Sequence, residues 1–290
     1  MAGNHILVVG ASRPLGLEIV RSLRASGRSV IATYRAPREE AIKQLQDLGA
    51  EIARLDIADE AALGVQLENA EAAIFTPILT VSKIALPLLR DHFPAVFFSS
   101  NNVAIDFEAD VYAQLRAAEE EVHKRAPGAV ILRPTMIYGY PDDGNIASLM
   151  RAMRRYPIIP MPGDGRALQQ PIYYKDVAKV ACDASLGDAC ASALCAVAGP
   201  QPVTQKGLYE AVARAANATP MISPSPARAL SRLLRAGERI GLRASLSSAQ
   251  VARANQNKTP QGTPVIFGVT PLDEGLKALA DDLDAAAPGA

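Results

Sequence analysis

A tyrosine, an arginine and two serines have the types and the spacing for proton-transfer chemistry. Tyr112 and Arg116 are four residues apart in a segment with helical periodicity, so both side chains are expected on one face of a helix. A nearby cation favours the phenolate form of a tyrosine, which can exchange a proton with a carbinol or carbonyl oxygen. Ser99 and Ser100 end the strand predicted before this helix, and a serine hydroxyl there can position the same oxygen. The alternative is that Tyr112 and Arg116 make a routine contact within the helix. Their position after the predicted strand that ends in two serines favours the catalytic interpretation.

The stretch 10–16, GASRPLG, has the composition of an anion-binding turn. A short apolar strand precedes it, and helical spacing of apolar residues follows, with Pro14 in the first helical turn where proline is tolerated. Glycines let the backbone approach a pyrophosphate, and the free N–H groups of the first helical turn point at it. The alternative is an ordinary strand-to-helix turn.

Arginines stand where a dinucleotide fold selects its cofactor. Arg35 ends the second predicted strand, Arg38 follows it, and Arg13 lies inside the glycine turn. An acid at the end of that strand binds the ribose hydroxyls of NAD(H), whereas arginine binds the 2′-phosphate of NADP(H). The sequence therefore favours NADP(H), against the alternative of ordinary surface arginines. Asp56, after the third strand, is expected either to bond the adenine amino group or to cap a helix.

Strands and helices alternate through the first half of the chain. We predict strands over 6–9, 29–34, 51–55, 72–75, 95–99 and 129–132, with helices between them that include 82–92 and 109–125. Such alternation is typical of an α/β, doubly wound parallel sheet of the Rossmann type. From residue 139 prolines and glycines interrupt the pattern. We therefore expect a Rossmann core over 1–139 and a smaller, mostly helical C-terminal cap over 140–290, with segments around 170–200 returning to the core.

Bulk composition excludes several classes of function. Hydrophobic residues make up 49% of the 290 and charged residues 21%, and the formal net charge is zero, so neither nucleic acid nor an anionic membrane is an expected partner. No apolar run reaches the roughly 20 residues that span a bilayer. Three cysteines without CxxC spacing predict reduced thiols and a cytoplasmic protein. Three scattered histidines predict no metal site.

Six segments together resemble the extended or atypical short-chain dehydrogenase/reductases, the NAD-dependent epimerase/dehydratase family, over nearly the whole chain. GASRPLG is similar to the family's GxxGxxG, with Arg13 in place of the middle glycine, and YAQLR resembles its YxxxK. FFSSNNV resembles the segment that carries the active-site Ser/Thr, which places Ser100 at that position. Three further segments are ILRPTMIYG, QPIYYKDVA and FGVTPLDEGL, at 131–139, 170–178 and 267–276.

Two departures from the family pattern bear on activity. Arg116 replaces the family's lysine, which keeps the positive charge but not the compact ammonium that bonds the nicotinamide ribose. Gln169 stands where nucleotide-sugar members carry an arginine, so a cation expected for a substrate diphosphate is lost. The expected pocket wall is apolar, which predicts a small or hydrophobic carbonyl substrate. Its residues are Thr135, Met136, Ile137, Tyr138 and the stretch 158–161.

The resulting hypothesis is an NADP(H)-dependent oxidoreductase acting on an alcohol/carbonyl pair other than a nucleotide sugar. Its expected catalytic residues are Ser100, Tyr112 and Arg116. We expect the cofactor to contact Gly10, Ser12, Arg13, Leu15, Gly16, Arg35, Asp56, Ile57, Thr76, Pro77, Arg133, Pro134 and Thr135.

Two alternatives stay open. The first is an epimerase or dehydratase that uses its cofactor transiently. The second is a catalytically silent NADP-binding sensor or assembly protein, which the lysine replacement motivates. The resemblance also implies a homodimer through the helices after strands four and five, which the apolar stretch 82–93 allows.

Overall fold

The computed structural model describes residues 5–36, 38–106, 109–190, 193–225 and 255–286. Its chain divides into two compact units. The first unit contains the chain up to Pro134, Lys175–Val197 and Pro260–Ile266. The second contains Thr135–Tyr174 and the described parts of 198–259 and 267–290. Of the predicted C-terminal cap, 226–254 lie outside the described residues.

The strands and helices are numbered in chain order. The strands are β1 His5–Val9, β2 Ser29–Tyr34, β3 Glu51–Arg54, β4 Ala70–Ile78, β5 Ala95–Phe98, β6 Ala129–Pro134, β7 Ile137–Tyr138, β8 Ile158–Pro162, β9 Leu168–Gln169, β10 Ile172–Tyr173, β11 Leu194–Ala198, β12 Val203–Thr204, β13 Met221–Ser225 and β14 Val265–Phe267. The helices are α1 Pro14–Ala25, α2 Glu39–Asp47, α3 Glu60–Glu68, α4 Leu79–Ser82, α5 Asp110–Arg125, α6 Ile146–Arg155, α7 Tyr174–Ser185, α8 Gln205–Ala215 and α9 Leu272–Ala285. Among the described residues, no helix has the length and apolar character needed to cross a membrane.

One eight-stranded sheet forms the centre of the first unit. Its order is β14-β11-β6-β5-β4-β1-β2-β3, and the seven strands from β11 to β3 pair in parallel. Strand residues Ile6, Leu7 and Val8 are fully buried, as a sheet covered on both faces requires. Phe75 of β4 and Phe97 of β5 stack with ring centroids 4.8 Å apart. The expected doubly wound parallel α/β sheet is therefore confirmed.

The register of this sheet brings several strand ends to one edge. Val9, the last residue of β1, lies opposite Thr33 of β2 and Phe75 of β4. Because parallel strands share one carboxyl edge, the segments that follow β1, β2, β4 and β5 leave the sheet on the same side. The glycine turn, Arg35 and Ser100 therefore all lie just after strands at this carboxyl edge of the sheet.

Around strand β4, one predicted strand is longer than expected and one predicted helix is wrong. The strand continues through Pro77 to Ile78, although its register with β5 shifts between Phe75 and Ile78. The helix predicted over 82–92 is instead the short α4 followed by a 3₁₀ segment, Lys83–Leu88, that contains Pro87. Proline has no N–H to donate and clashes with the preceding turn, so a regular α-helix cannot run through this position.

The second unit combines small strand pairs with helices. Strands β7 and β10 pair in parallel, as do β8 and β13, whereas β9 and β12 are antiparallel. Its core contains Tyr138, Met150, Leu208, Leu276 and further apolar side chains from α6, α8 and α9. Thr204 caps α8, because its hydroxyl accepts a hydrogen bond from the Gly207 N–H at 3.0 Å.

The prediction of three reduced cysteines is wrong. Cys190 and Cys195 form a disulfide, with their Cα atoms 6.0 Å apart, inside the range that such a bond requires. Cysteine spacing alone could not reveal this pair, because a separation of five residues permits a disulfide only where the backbone brings the two Cα atoms close together, and Cys190 adopts a left-handed φ of 63°. Cys182 is a buried thiol whose pKa is raised by burial to about 12, so it stays protonated at neutral pH.

Candidate functional site

The glycine turn after β1 depends on two positions that exclude a side chain. Gly10 has a φ of +82°, and a Cβ there would collide with the Thr76 hydroxyl. A Cβ on Gly16 would lie 2.6 Å from the Gly10 carbonyl oxygen and 2.8 Å from the Ala11 Cα. Thr76 also donates to the carbonyls of Val9 at 2.8 Å and Gly10 at 3.2 Å. The first turn of helix α1 therefore packs in direct backbone contact with the residues that follow β1.

The start of helix α1 has the electrostatics of an anion site. Arg13 is its N-cap residue but makes no capping hydrogen bond with its side chain, and the first turn contains no acid. Pro14 occupies the first helical position, where its missing N–H costs nothing. The remaining N–H groups and the positive end of the helix dipole favour a phosphate at this point.

Three of the predicted cofactor residues are exposed, polar and close in sequence to strand ends. Arg13 and Arg35 are exposed, and Arg35 directly follows β2. Asp56 is exposed too, and its carboxylate accepts the Ala58 N–H at 3.1 Å. Asp59, not Asp56, caps helix α3, by accepting the Ala62 N–H at 3.0 Å. The capping alternative for Asp56 is therefore wrong.

The other predicted cofactor residues divide by location. Near the glycine turn and the sheet edge the half-buried positions are Ser12, Leu15, Ile57, Thr76 and Pro77. Arg133 and Pro134 end β6, whereas Thr135 belongs to the second unit, where its hydroxyl donates to the Gln170 carbonyl.

The guanidinium of Arg133 has a structural partner. It forms a two-pronged ion pair with Glu119 of α5, one prong being 2.8 Å long, and the Glu119 side chain is only 5% exposed. The Arg133 guanidinium therefore neutralises a buried carboxylate through its Nε and Nη2 groups.

A hydrogen-bonded cluster joins the loop after β5 to helix α5. Ser100 accepts the Asn102 backbone N–H on its hydroxyl oxygen at 3.3 Å. The Asn102 side-chain amide donates to the Tyr112 hydroxyl oxygen at 2.8 Å. The structure thus brings Ser100 and Tyr112 together through a residue that the sequence interpretation missed. The only signal for it was the Asn-Asn pair directly after the two serines.

Arg116 holds the same loop by its backbone. Its guanidinium donates to the carbonyl oxygens of Val103 at 3.0 Å and Asp106 at 3.1 Å, and both of these residues are buried. Both bonds come from the same terminal nitrogen, Nη1, whose two N–H groups reach the two carbonyl oxygens. Arg116 therefore has a loop-holding role in this chain.

The second unit contains a mainly apolar cavity of about 380 Å³. Of the expected wall residues, Met136, Ile158, Ile159 and Pro160 line it, whereas Thr135, Ile137 and Met161 do not. Tyr138 is buried in the core with its hydroxyl 3.4 Å from the Leu272 carbonyl oxygen. The sequence interpretation missed the polar and aromatic side chains from α6, α8 and neighbouring segments. These are Asn145, Ser148, Tyr156, Gln205, Tyr209 and Lys258. Burial raises the pKa of Tyr209 to about 12, although a hydrogen bond from Gln205 opposes this, so its hydroxyl is neutral at pH 7.

Comparison with known proteins adds a family match and a fold. Residues 3–85 match the model of the NmrA-like family. No curated protein sequence matches the chain.

Solved structures of nucleotide-sugar enzymes have a similar fold. The UDP-glucose 4-epimerase of Thermotoga maritima, solved with UDP-glucose, gives a TM-score of 0.69 at 14% identity and covers 97% of this chain and 99% of its own. The UDP-glucose 4-epimerase of Thermus thermophilus, in complex with NAD, gives 0.66 at 16% identity over 98% of this chain and 100% of its own. The dTDP-glucose 4,6-dehydratase of Bacillus anthracis, in complex with NAD, gives 0.69 at 13% identity over 97% of each chain. The expected resemblance to epimerase/dehydratase-type proteins is confirmed at the level of the fold.

Proposed function

We propose that this chain, which has the fold of NAD-dependent epimerases and dehydratases, is an NADP(H)-dependent oxidoreductase for an alcohol/carbonyl pair. The observation that carries the proposal is the Ser100–Asn102–Tyr112 cluster at the end of β5. The loop that carries this cluster follows β5 at the same edge of the sheet as the glycine turn after β1. Ligands of doubly wound sheets bind at this edge, which supports a role for the phenol and the hydroxyl beside a dinucleotide.

The residues of the first unit fit a phosphorylated dinucleotide. Gly10 and Gly16 leave the room that a Cβ would fill, and the uncapped start of α1 favours a pyrophosphate. Arg35 and Arg13 are exposed cations suited to a 2′-phosphate, which supports NADP(H) over NAD(H). When bound, the nicotinamide group would supply hydride to a carbonyl carbon or accept it from a carbinol carbon.

The proton would come from Tyr112. In the reduction direction its hydroxyl donates a proton to the carbonyl oxygen and is left as phenolate, and in the oxidation direction it takes the proton back. The Ser100 hydroxyl would hold the same oxygen. Arg116 contributes a positive charge one helical turn along α5, and its grip on Val103 and Asp106 fixes the loop that carries Ser100.

The cavity in the second unit supports an apolar substrate that is not a nucleotide sugar. Among the described residues that line it, Lys258 is the one with a charged side chain. A nucleoside diphosphate carries at least two negative charges and is usually held by arginines, whereas this wall is dominated by Met136, Leu149, Ile159, Leu208 and similar groups. A hydrophobic aldehyde, ketone or alcohol fits this chemistry better.

A fluorescence titration with NADPH and, in parallel, NADH tests the cofactor assignment. Arg35→Asp is expected to weaken NADPH binding by about 10-fold to 100-fold, because a charge-assisted contact is lost and a repulsive one gained, while NADH binding stays the same or improves. Arg166→Asp is the matched control, since Arg166 lies in the second unit with its side chain 91% exposed. Binding of neither nucleotide by the wild type would overturn the proposed function.

A specific observation also favours the silent nucleotide-binding alternative. Tyr112 is only 9% exposed and packs in the apolar core, and Arg116 is engaged by the loop carbonyls. Turnover of NADPH with a panel of hydrophobic carbonyl compounds separates the two functions. The oxidoreductase predicts turnover that Tyr112→Phe reduces by about 100-fold or more, within the range of acid–base catalysis. The silent protein predicts NADPH binding without turnover.

A further inference from the structure

We infer that Asn102 is a positioning residue for Tyr112 and that it supplies the phenolate-stabilising hydrogen bond at this site. The inference rests on the proposed function, in which Tyr112 is the proton donor. It starts from the 2.8 Å bond between the Asn102 Nδ2 and the Tyr112 hydroxyl oxygen. An amide N–H can only donate, so the phenolic oxygen is the acceptor in this bond.

The direction of this bond sets its effect on proton transfer. A donor aimed at the phenolic oxygen stabilises the phenolate more than the neutral phenol, because a hydrogen bond to an ionised acceptor is roughly twice as strong as one to a neutral acceptor. Loss of the Tyr112 proton therefore strengthens the contact with Asn102. The same bond occupies one lone pair of the oxygen and so restricts the directions in which the hydroxyl proton can point.

The backbone of Asn102 is held by hydrogen bonds within the loop. Its N–H donates to the Ser100 hydroxyl oxygen at 3.3 Å. Its carbonyl accepts from the Ile105 N–H at 3.0 Å and from the Asp106 N–H at 2.8 Å. Three bonds thus hold the residue whose side chain reaches Tyr112, as a preorganised donor requires.

Arg116 and Asn102 consequently have separate roles near Tyr112, one toward the loop backbone and one toward the phenol. The guanidinium of Arg116 donates to the Val103 and Asp106 carbonyls and so closes the loop that contains Asn102. The amide of Asn102 makes the direct contact with the phenol. The cation at the family's lysine position therefore acts on Tyr112 partly through the loop.

Replacement of Asn102 by aspartate tests this inference without cofactor or substrate. Asn102→Asp keeps the size of the side chain and the backbone bond to Ser100, but its ionised carboxylate cannot donate a hydrogen bond. The readout is the pH at which the Tyr112 phenol is half ionised, followed by NMR of the chain with ¹³C at the tyrosine Cζ and assigned with Tyr112→Phe. We expect Asn102→Asp to raise that pH by about one unit or more and Asn102→Leu to raise it by less, because leucine adds no negative charge.

Two controls keep the result specific to Tyr112. Asn69→Asp introduces the same charge in the first unit at an exposed asparagine whose amide donates to the Val65 carbonyl at 3.1 Å, and it should leave the Tyr112 titration unchanged. Tyr156, which is 55% exposed in the second unit, should titrate identically in all variants. Asn102→Leu removes the donor without adding a charge, so it isolates the lost hydrogen bond and also serves if Asn102→Asp does not fold.

An unchanged Tyr112 titration in folded Asn102→Leu would overturn the inference, because this variant removes the donor without adding a charge, whereas the shift in Asn102→Asp also contains the effect of the added charge. Failure of the wild type to bind NADPH would overturn the proposed function and leave this result standing. The two failures are therefore distinguishable.

Discussion

The glycine turn after β1 and the loop after β5 leave the same edge of the sheet, but they are built differently. In the turn, Gly10 and Gly16 are required because any side chain would collide with neighbouring backbone or with Thr76. In the loop, side chains make the structure, since Ser100, Asn102 and Arg116 each bond to backbone or to Tyr112. The turn therefore depends on positions without a side chain, whereas the loop depends on hydrogen bonds made by side chains.

Because of this difference, the two regions tolerate different kinds of substitution. A turn that binds an anion through its backbone depends on steric room, so a small enlargement is costly there. A loop that is held by side-chain bonds depends on individual donors, and loss of one leaves a buried acceptor unpaired. Substitutions in the two regions should therefore fail for different reasons.

Enlargement of the glycine turn should give the largest effect. Gly16→Val forces methyl groups against the Gly10 carbonyl oxygen and Ala11, and we expect a loss of about 3 kcal/mol in the free energy of unfolding, with NADPH binding abolished. Urea denaturation and the nucleotide titration measure both. Gly64→Ala is the control, because no atom lies within 4 Å of a Cβ there in α3, and it should be neutral or stabilising. A stable Gly16→Val protein that binds NADPH would contradict this account of the turn.

Removal of the loop-holding arginine should have an intermediate effect. Arg116→Ala leaves the buried carbonyls of Val103 and Asp106 without this donor and should lower the free energy of unfolding by about 2 kcal/mol. Arg125→Ala, on the same helix, removes only an exposed ion pair with Glu121 and should cost about 0.5 kcal/mol. Equal costs for the two arginines would show that the loop does not depend on Arg116.

The smallest effect is expected where a side chain supports the glycine turn. Thr76→Val keeps the shape of the side chain but removes the hydroxyl that donates to Val9 and Gly10, at a cost of about 1 kcal/mol. NADPH affinity should change by less than about threefold, because the backbone defines the turn. A larger loss of affinity would mean that the Thr76 side chain positions the glycine turn for binding, and that the backbone alone does not define it.

Local signals in the sequence were sufficient for the architecture of the first unit. Alternating apolar strands and amphipathic helices predicted the parallel sheet, and Pro14 and the flanking glycines predicted the start of α1. Each depends on residues within a few positions of one another, which is the range over which periodicity and backbone sterics act. The helix expected over 82–92 is wrong because two local signals conflict there, and Pro87 prevails over the apolar spacing.

The partners of individual side chains were decided by the tertiary structure. Sequence alone placed Tyr112 and Arg116 on one helical face, but it could not show that Asn102 reaches the phenol or that Arg116 reaches two loop carbonyls. It gave no sign that Arg133 pairs with Glu119. These contacts join residues 10 to 14 positions apart, on different elements. A hydrogen bond requires two groups within about 3 Å and in line, and only the folded chain fixes such distances.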